Sequence, residues 1–374
     1  EKITDLLKNY TFYIIPKISP DGSDVYLHSD QRLRSVNRNY PLSELADGLH
    51  PGDIDGDGAI RMMRVKTPYG AWKVSEKDPQ VMTKRTPFDV QGDFYNIYPE
   101  GEIINYDGLH IELAKEKWGL DFNRNYPFGW FSEVRQPGAG KYPLSNPENK
   151  AVADFVLAHP NIGFVSTLHT TGGVLVYPPG TYPEAKALKK DMDLFKKVGK
   201  MAKQIMGYET VNIFDGFLTD IENYSSGAFD DWCYETQGIP AYTIELWNLF
   251  ERAGADMSWP RKDKDDDVQE AEYAMVLKWI KENIGESAIK PWTAFDHPQL
   301  GPVEIGGFDY KFIHQNPPCD YLLQEVEKTA KFMLANAYAL PKLKFESVKT
   351  EKICDGIYKL EAVLGNTGYM PTYL

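Results

Sequence analysis

The stretch Asn161-Ile-Gly-Phe-Val-Ser-Thr-Leu-His169-Thr-Thr-Gly-Gly173 is an apolar, strand-like run that ends on a histidine and passes at once into two glycines. Open α/β sheets build their sites at the carboxyl ends of their strands, so this layout sets an imidazole where a ligand is held rigidly. The glycines leave room beside it for a substrate or an ion. Taken alone, a histidine after an apolar strand reads as a packing residue. Its sequence neighbours have to decide between the two.

Working outward, Asn146-Pro147-Glu148 supplies an N-cap, a proline at the first helical position and an early acid, which together predict a helix to about His159. Downstream, Val174 to Pro178 reads as a strand, Pro183 to Met206 as a helix, Ala241 to Trp247 as a strand and Val268 to Ile284 as a helix. Strands alternating with helices imply an α/β fold: a mixed, largely parallel central sheet flanked by helices. Upstream, Thr11-Phe-Tyr-Ile-Ile-Pro16 reads as a buried strand, with turn chemistry at Pro20-Asp-Gly-Ser23. Between about 42 and 118 the chain is rich in Gly, Pro, Asp and aromatics, with brief strand-like pieces at Ile60 to Val65 and Asp93 to Tyr98. Such a length of irregular chain reads as an insertion. The pentapeptide at 37–41 recurs at 123–127 without surrounding similarity, so it is not a structural repeat.

Past about Ser287 the prolines at 291, 298 and 302 and the glycines at 301, 306 and 307 suggest a connector, followed by a helix from Cys319 to Tyr338. Alternating strands at Leu343 to Val348 and Gly356 to Val363 then read as the start of a C-terminal β-sandwich domain, since two strands do not fold alone. The expected organisation is an α/β domain over 1–286, a connector and helix over 287–341, and a truncated sandwich over 342–374.

With 374 residues and 42% hydrophobic content the chain can bury a large core. A formal charge of −13 argues against nucleic acid as a partner. No run approaches the roughly 18 apolar residues of a membrane span. The N-terminus lacks the basic and apolar regions of a signal peptide, so an export signal is expected upstream of Glu1 and the protein is expected to be secreted or periplasmic. Cys233, Cys319 and Cys354 allow at most one disulfide, which leaves the redox compartment open.

Two further segments carry chemistry. In Asp121-Phe-Asn123-Arg124-Asn an amide stands beside a guanidinium, a pair that grips a carboxylate or braces a loop. In Asn223-Tyr224 to Leu246, Glu245 is a carboxylate inside an apolar strand, costly to bury unless paired or used. With Ser-Pro-Asp-Gly at 19–22, Asp-Phe-Asn-Arg-Asn at 121–125, Pro143 to Val152, His169, Asp231-Trp232 and Ile244-Glu-Leu246 in this order, the chain resembles the zinc metallocarboxypeptidases of the carboxypeptidase A type.

The resemblance implies an exopeptidase that hydrolyses C-terminal peptide bonds of peptides or proteins by metal-activated water. His169 would be a Zn2+ ligand and Glu245 the general base. Asn123 and Arg124 would hold the substrate carboxylate, and Tyr224 would match the mobile tyrosine over it. Arg34 would stabilise the oxyanion, with Arg38 as competitor. Asp230 matches the floor of the specificity pocket, which would favour basic C-terminal residues; the alternative is a surface aspartate at a turn. None of the seven histidines has Glu three residues later, so the family's His-x-x-Glu ligand pair is expected upstream of Glu1 and poor zinc binding is expected of this polypeptide. Rival functions are cleavage of peptidoglycan stem peptides or another amide, and non-catalytic binding on the same fold.

Asp53-Ile-Asp55-Gly-Asp57-Gly58 follows the opening of an EF-hand-type loop, with Arg64 where the twelfth-position acid belongs and a strand rather than a helix following. A structural Ca2+ site with its remaining carboxylate from elsewhere competes with a plain acidic turn.

Overall fold

The computed structural model describes residues 2–374. Helices α1 (Lys2–Asn9) and α2 (Pro20–His28) precede six short strands, β1 (Gly48–Pro51), β2 (Met62–Lys66), β3 (Trp72–Val74), β4 (Met82–Lys84), β5 (Tyr95–Pro99) and β6 (Gly101–Ile104). Then follow α3 (Pro147–Ala158), β7 (Val165–Thr170), β8 (Val174–Tyr177), α4 (Lys189–Met206), β9 (Glu209–Asn212), α5 (Phe229–Gln237) and β10 (Ala241–Leu246). The chain ends with α6 (Leu249–Arg252), α7 (Asp266–Asn283), β11 (Ile289–His297), β12 (Gly301–Phe308), α8 (Cys319–Ala339), β13 (Leu343–Cys354) and β14 (Ile357–Asn366).

The sheet that carries the site has the order β7-β10-β8-β9. β10 runs parallel to β7 and antiparallel to β8, and β8 runs parallel to β9, so the sheet is mixed as expected. Side chains alternate across β10. Tyr242 and Ile244 pack with Phe195, Val198 and Phe332 beneath α4 and α8, whereas Ala241 packs with Ala153, Trp232 and Cys233 beneath α3 and α5. Glu245 falls on the second face, in phase with Ala241 and Thr243.

Three local expectations are corrected. Thr11 to Pro16 pairs with no strand; Tyr13 lies edge-on to Phe155 and His159 at the end of α3, and Ile14 is 78% exposed. Ladder hydrogen bonds, not apolar content, make a strand. Pro20 sits at the start of α2, where its missing N–H costs nothing, so Pro20-Asp-Gly-Ser opens a helix rather than a turn. The supposed connector at 287–318 contains β11 and β12. These join the inserted strands in one antiparallel sheet of order β11-β12-β2-β5-β3-β4. Two of its prolines sit where a sheet tolerates them: Pro291 at a bulge between Lys290 and Thr293, and Pro298 in the connecting turn; Pro302 lies within β12, opposite Asp296. β13 and β14 pair only with each other. No helix among the described residues is long and apolar enough to cross a membrane.

Candidate active site

Parallel, in-register pairing of β7 with β10 sets His169 directly beside Glu245 at the carboxyl ends of both strands. Nδ1 and Oε1 are 3.6 Å apart, too far for a hydrogen bond and close enough for both groups to meet one small ligand. The glycine beyond β7 has a steric reason: a Cβ on Gly172 would stand 3.1 Å from that of Glu245. Its N–H donates to Trp247 O at 2.9 Å, holding the two strand ends together past the pair.

Around this pair the loops converge on Asp121, a buried carboxylate to which the sequence reading gave no role. Its Oδ2 accepts from Arg34 Nε at 2.8 Å and lies 4.0 Å from Arg124 Nη1; its Oδ1 accepts from Asn123 N at 2.8 Å. The two arginines hold it below the ordinary carboxylate range despite its burial. The signal available was position: Asp121 precedes Asn123 by two in the motif. Asn123 Oδ1 accepts from Phe229 N at 2.9 Å, which turns its amide NH2 outward as a donor. Arg34 also acts electrostatically on Glu245 and His169. Arg38 is committed elsewhere, gripping Glu148 through two bonds of 2.6 and 2.7 Å.

Burial, reinforced by Arg34, lowers the His169 pKa to about 4, so its ring is neutral. Burial raises that of Glu245 to about 7, against the pull of Arg34 and with help from Asp230. A neutral imidazole is a ligand, and a carboxyl that titrates near neutrality can take and return a proton.

Asp230 is 1% exposed, so it is not a surface turn residue. It lies in the first turn of α5, its Oδ2 accepting from Thr243 Oγ1 at 2.7 Å and its Oδ1 from Asp231 N at 3.0 Å. Thr243, two residues before Glu245 on the same face, is a second site neighbour that the sequence reading passed over. Tyr224 stands on an irregular loop with its ring against Phe131 and Phe214.

Asp53, Asp55 and Asp57 come together well away in sequence, with ligand atoms within 4.8 Å of one another. Lys290 Nζ bonds Asp55 and Asp57, and Arg61 Nε bonds Asp57 at 2.7 Å. Arg64 has left the loop for β2 and pairs with Glu304 at 2.8 Å. Glu100, fully buried, accepts from Ile54 N and Arg61 N and feels the charges of Asp53 and Asp55. It lies between β5 and β6, where no loop pattern could reveal it.

A catalytic zinc needs three protein ligands beside its water. Among the described residues only Asp53, Asp55 and Asp57 form a set of three His, Cys, Asp or Glu groups near enough to share an ion. His169 belongs to no such set among the described residues. All three cysteines are free.

The chain is 32% identical to carboxypeptidase A1 of Mus musculus over 139 residues, 34% of this chain and 32% of that protein. To carboxypeptidase A1 of Sus scrofa it is 34% identical over 135 residues, again 34% of this chain and 32% of the relative. It thus spans about a third of the length of these curated relatives. The crystal structure of the carboxypeptidase A from Helicoverpa armigera superposes on 44% of this chain and 40% of its own at 22% identity, with a TM-score of 0.29, too slight a match to bear on the site. Residues 1–254 match the family model described as zinc carboxypeptidase, a family that implies Zn2+, and the chain belongs to that family.

Proposed function

We propose that the chain carries the proton-handling and substrate-gripping part of a metallo-exopeptidase that cleaves C-terminal peptide bonds. The observation behind this reading is the His169–Glu245 pair at two strand ends, with Arg34, Asn123 and Arg124 gathered on Asp121 beside it. Arg124 and the outward NH2 of Asn123 fix the substrate carboxylate, so the last peptide bond lies over the pair. Glu245 draws the proton from the attacking water and passes it to the leaving amine. Arg34, rather than the fully engaged Arg38, meets the charge that develops on the carbonyl oxygen. Asp230 lies at the pocket floor and favours a cationic C-terminal side chain. His169 is the zinc ligand among the described residues.

Glu245→Gln keeps the shape and removes the base. It should lower kcat by about 10²–10⁴-fold with KM little changed. Activity equal to that of the unaltered protein would overturn the assignment. The grip of Arg124 and Asn123 would equally serve one rival, a pocket that binds free C-terminal carboxylates without turnover. In that case Arg124→Ala weakens peptide binding while no variant changes a hydrolysis rate, because there is none.

For the Asp53–Asp57 loop we propose a structural Ca2+, completed by Glu100 after Lys290 swings out. Calcium against chelator should raise the melting temperature, and more so in Lys290→Ala, where the competing ammonium is gone. An identical melt in calcium and chelator for both proteins would refute the site.

A further inference from the structure

The turn Tyr310–Gln315 lies outside the family-matched residues 1–254, yet it bonds to the chain at the ends of β7 and β10 and to α2. Ile313 O accepts from Trp247 Nε1 at 2.9 Å, two residues past Glu245. Gln315 O accepts from Thr170 Oγ1, one residue past His169. The same turn reaches the other way to α2. Tyr26 OH donates to Gln315 Oε1 at 2.7 Å and accepts from Asn316 Nδ2 at 3.0 Å.

Lys311 is the unusual member. It is 5% exposed, and its ammonium donates to two backbone carbonyls, Tyr26 O at 2.6 Å and Ser29 O at 2.5 Å, at the carboxyl end of α2. Carbonyls left over at a helix end favour a cation, so this lysine acts as a C-cap delivered from a distant part of the chain. The loop that leaves α2 here carries Arg34. It is tied again by Arg32 over the Tyr310 ring at 4.8 Å, and by Ser35 Oγ, which accepts from Phe122 N at 3.0 Å.

We propose that the Tyr310–Asn316 segment is a clamp, with Lys311 its positioning residue, that fixes the Arg34 loop relative to the His169–Glu245 strand ends. This rests on the reading of Arg34 as the group that meets the carbonyl oxygen. Lys311 touches no substrate; it acts through Arg34. Misplacement by an ångström can cost up to about a hundredfold in rate, so Lys311→Met should lower kcat roughly tenfold with KM within about twofold.

The deciding measurement is a double-mutant cycle on the full chain with Arg34→Ala. If Lys311 works through Arg34, adding Lys311→Met to Arg34→Ala costs less than about twofold more. Tyr26→Phe removes only the hydroxyl joined to Gln315 and Asn316, and repeats the cycle with a gentler change should Lys311→Met fail to fold. Full additivity in a background where Arg34→Ala itself is costly overturns the clamp alone. Unchanged kcat in Arg34→Ala, or no hydrolysis by the unaltered protein supplied with zinc, overturns the reading beneath it, and the clamp with it.

Discussion

Asp230 and Asp231 are adjacent acids, both buried, and burial lifts both above the ordinary carboxylate range. Their partners differ. Asp230 receives two hydrogen bonds and the pull of Arg124, whereas Asp231 has one oxygen bonded by Gly180 N and the other without a partner, beside the charge of Asp230. Asp231 is therefore the member that keeps a proton, which leaves Asp230 free to carry the pair's charge. On the proposed reading, a cationic substrate side chain would add to the pull that Arg124 exerts on Asp230. Asp230→Asn keeps both hydrogen bonds, its oxygen on Asp231 N and its NH2 on the Thr243 hydroxyl. It should cut kcat/KM on lysine-ended peptides by about 30-fold, some 2 kcal/mol for a buried charge pair, and leave leucine-ended peptides within about twofold. Equal losses on both peptides would remove Asp230 from the selection of substrate.

At the scale of elements, legibility followed locality. The helix opening at Asn146-Pro147 and strands β7 and β10 were readable because each is specified by its own residues: cap, proline, apolar run. His169 and Glu245 were each legible as candidates near the ends of such strands, whereas their adjacency comes from the parallel register of β7 and β10. Elements that depend on a distant partner were not legible. Thr11 to Pro16 has strand composition and no ladder, while β11 and β12 form a hairpin, interrupted by prolines and glycines, that β12 alone anchors to β2, more than 200 residues earlier. Asp121 was overlooked for the same reason: a carboxylate in a loop gains its meaning from Arg34, which the sequence leaves 87 positions away. Glu100 under the Asp53–Asp57 loop and Lys311 under α2 belong to this class. Each is a polar residue buried against backbone groups of another segment, and no periodicity encodes such a contact.

For the whole molecule, the residues beyond the family match are structural partners of the core rather than an appendage. Val303 and Ile305 on β12 bury Met63 of β2; Ile313 joins Val276, Leu277 and Trp247; Phe332 of α8 closes the cluster of Phe195 and Tyr242. α8 also supplies Glu325, 2% exposed, which bonds Tyr208 OH and Arg252. A chain ended after residue 286 loses all of these. Removal of large core side chains costs about 2–5 kcal/mol each. Ile305, Ile313 and Phe332 together thus match a typical net stability of about 5–15 kcal/mol. The hairpin of β13 and β14 differs, since its side chains are exposed along nearly their whole length; Met370 and Leu374 are what the chain after Pro341 adds to the core. Residues 1–341 should therefore unfold in one cooperative urea transition, weakened by about 2–5 kcal/mol for the loss of Met370. Residues 1–286 should show no cooperative transition and should bind a hydrophobic dye. A sharp, full-amplitude transition for 1–286 would mean that the two sheets are stabilised separately, and that β11 and β12 only rest against β2.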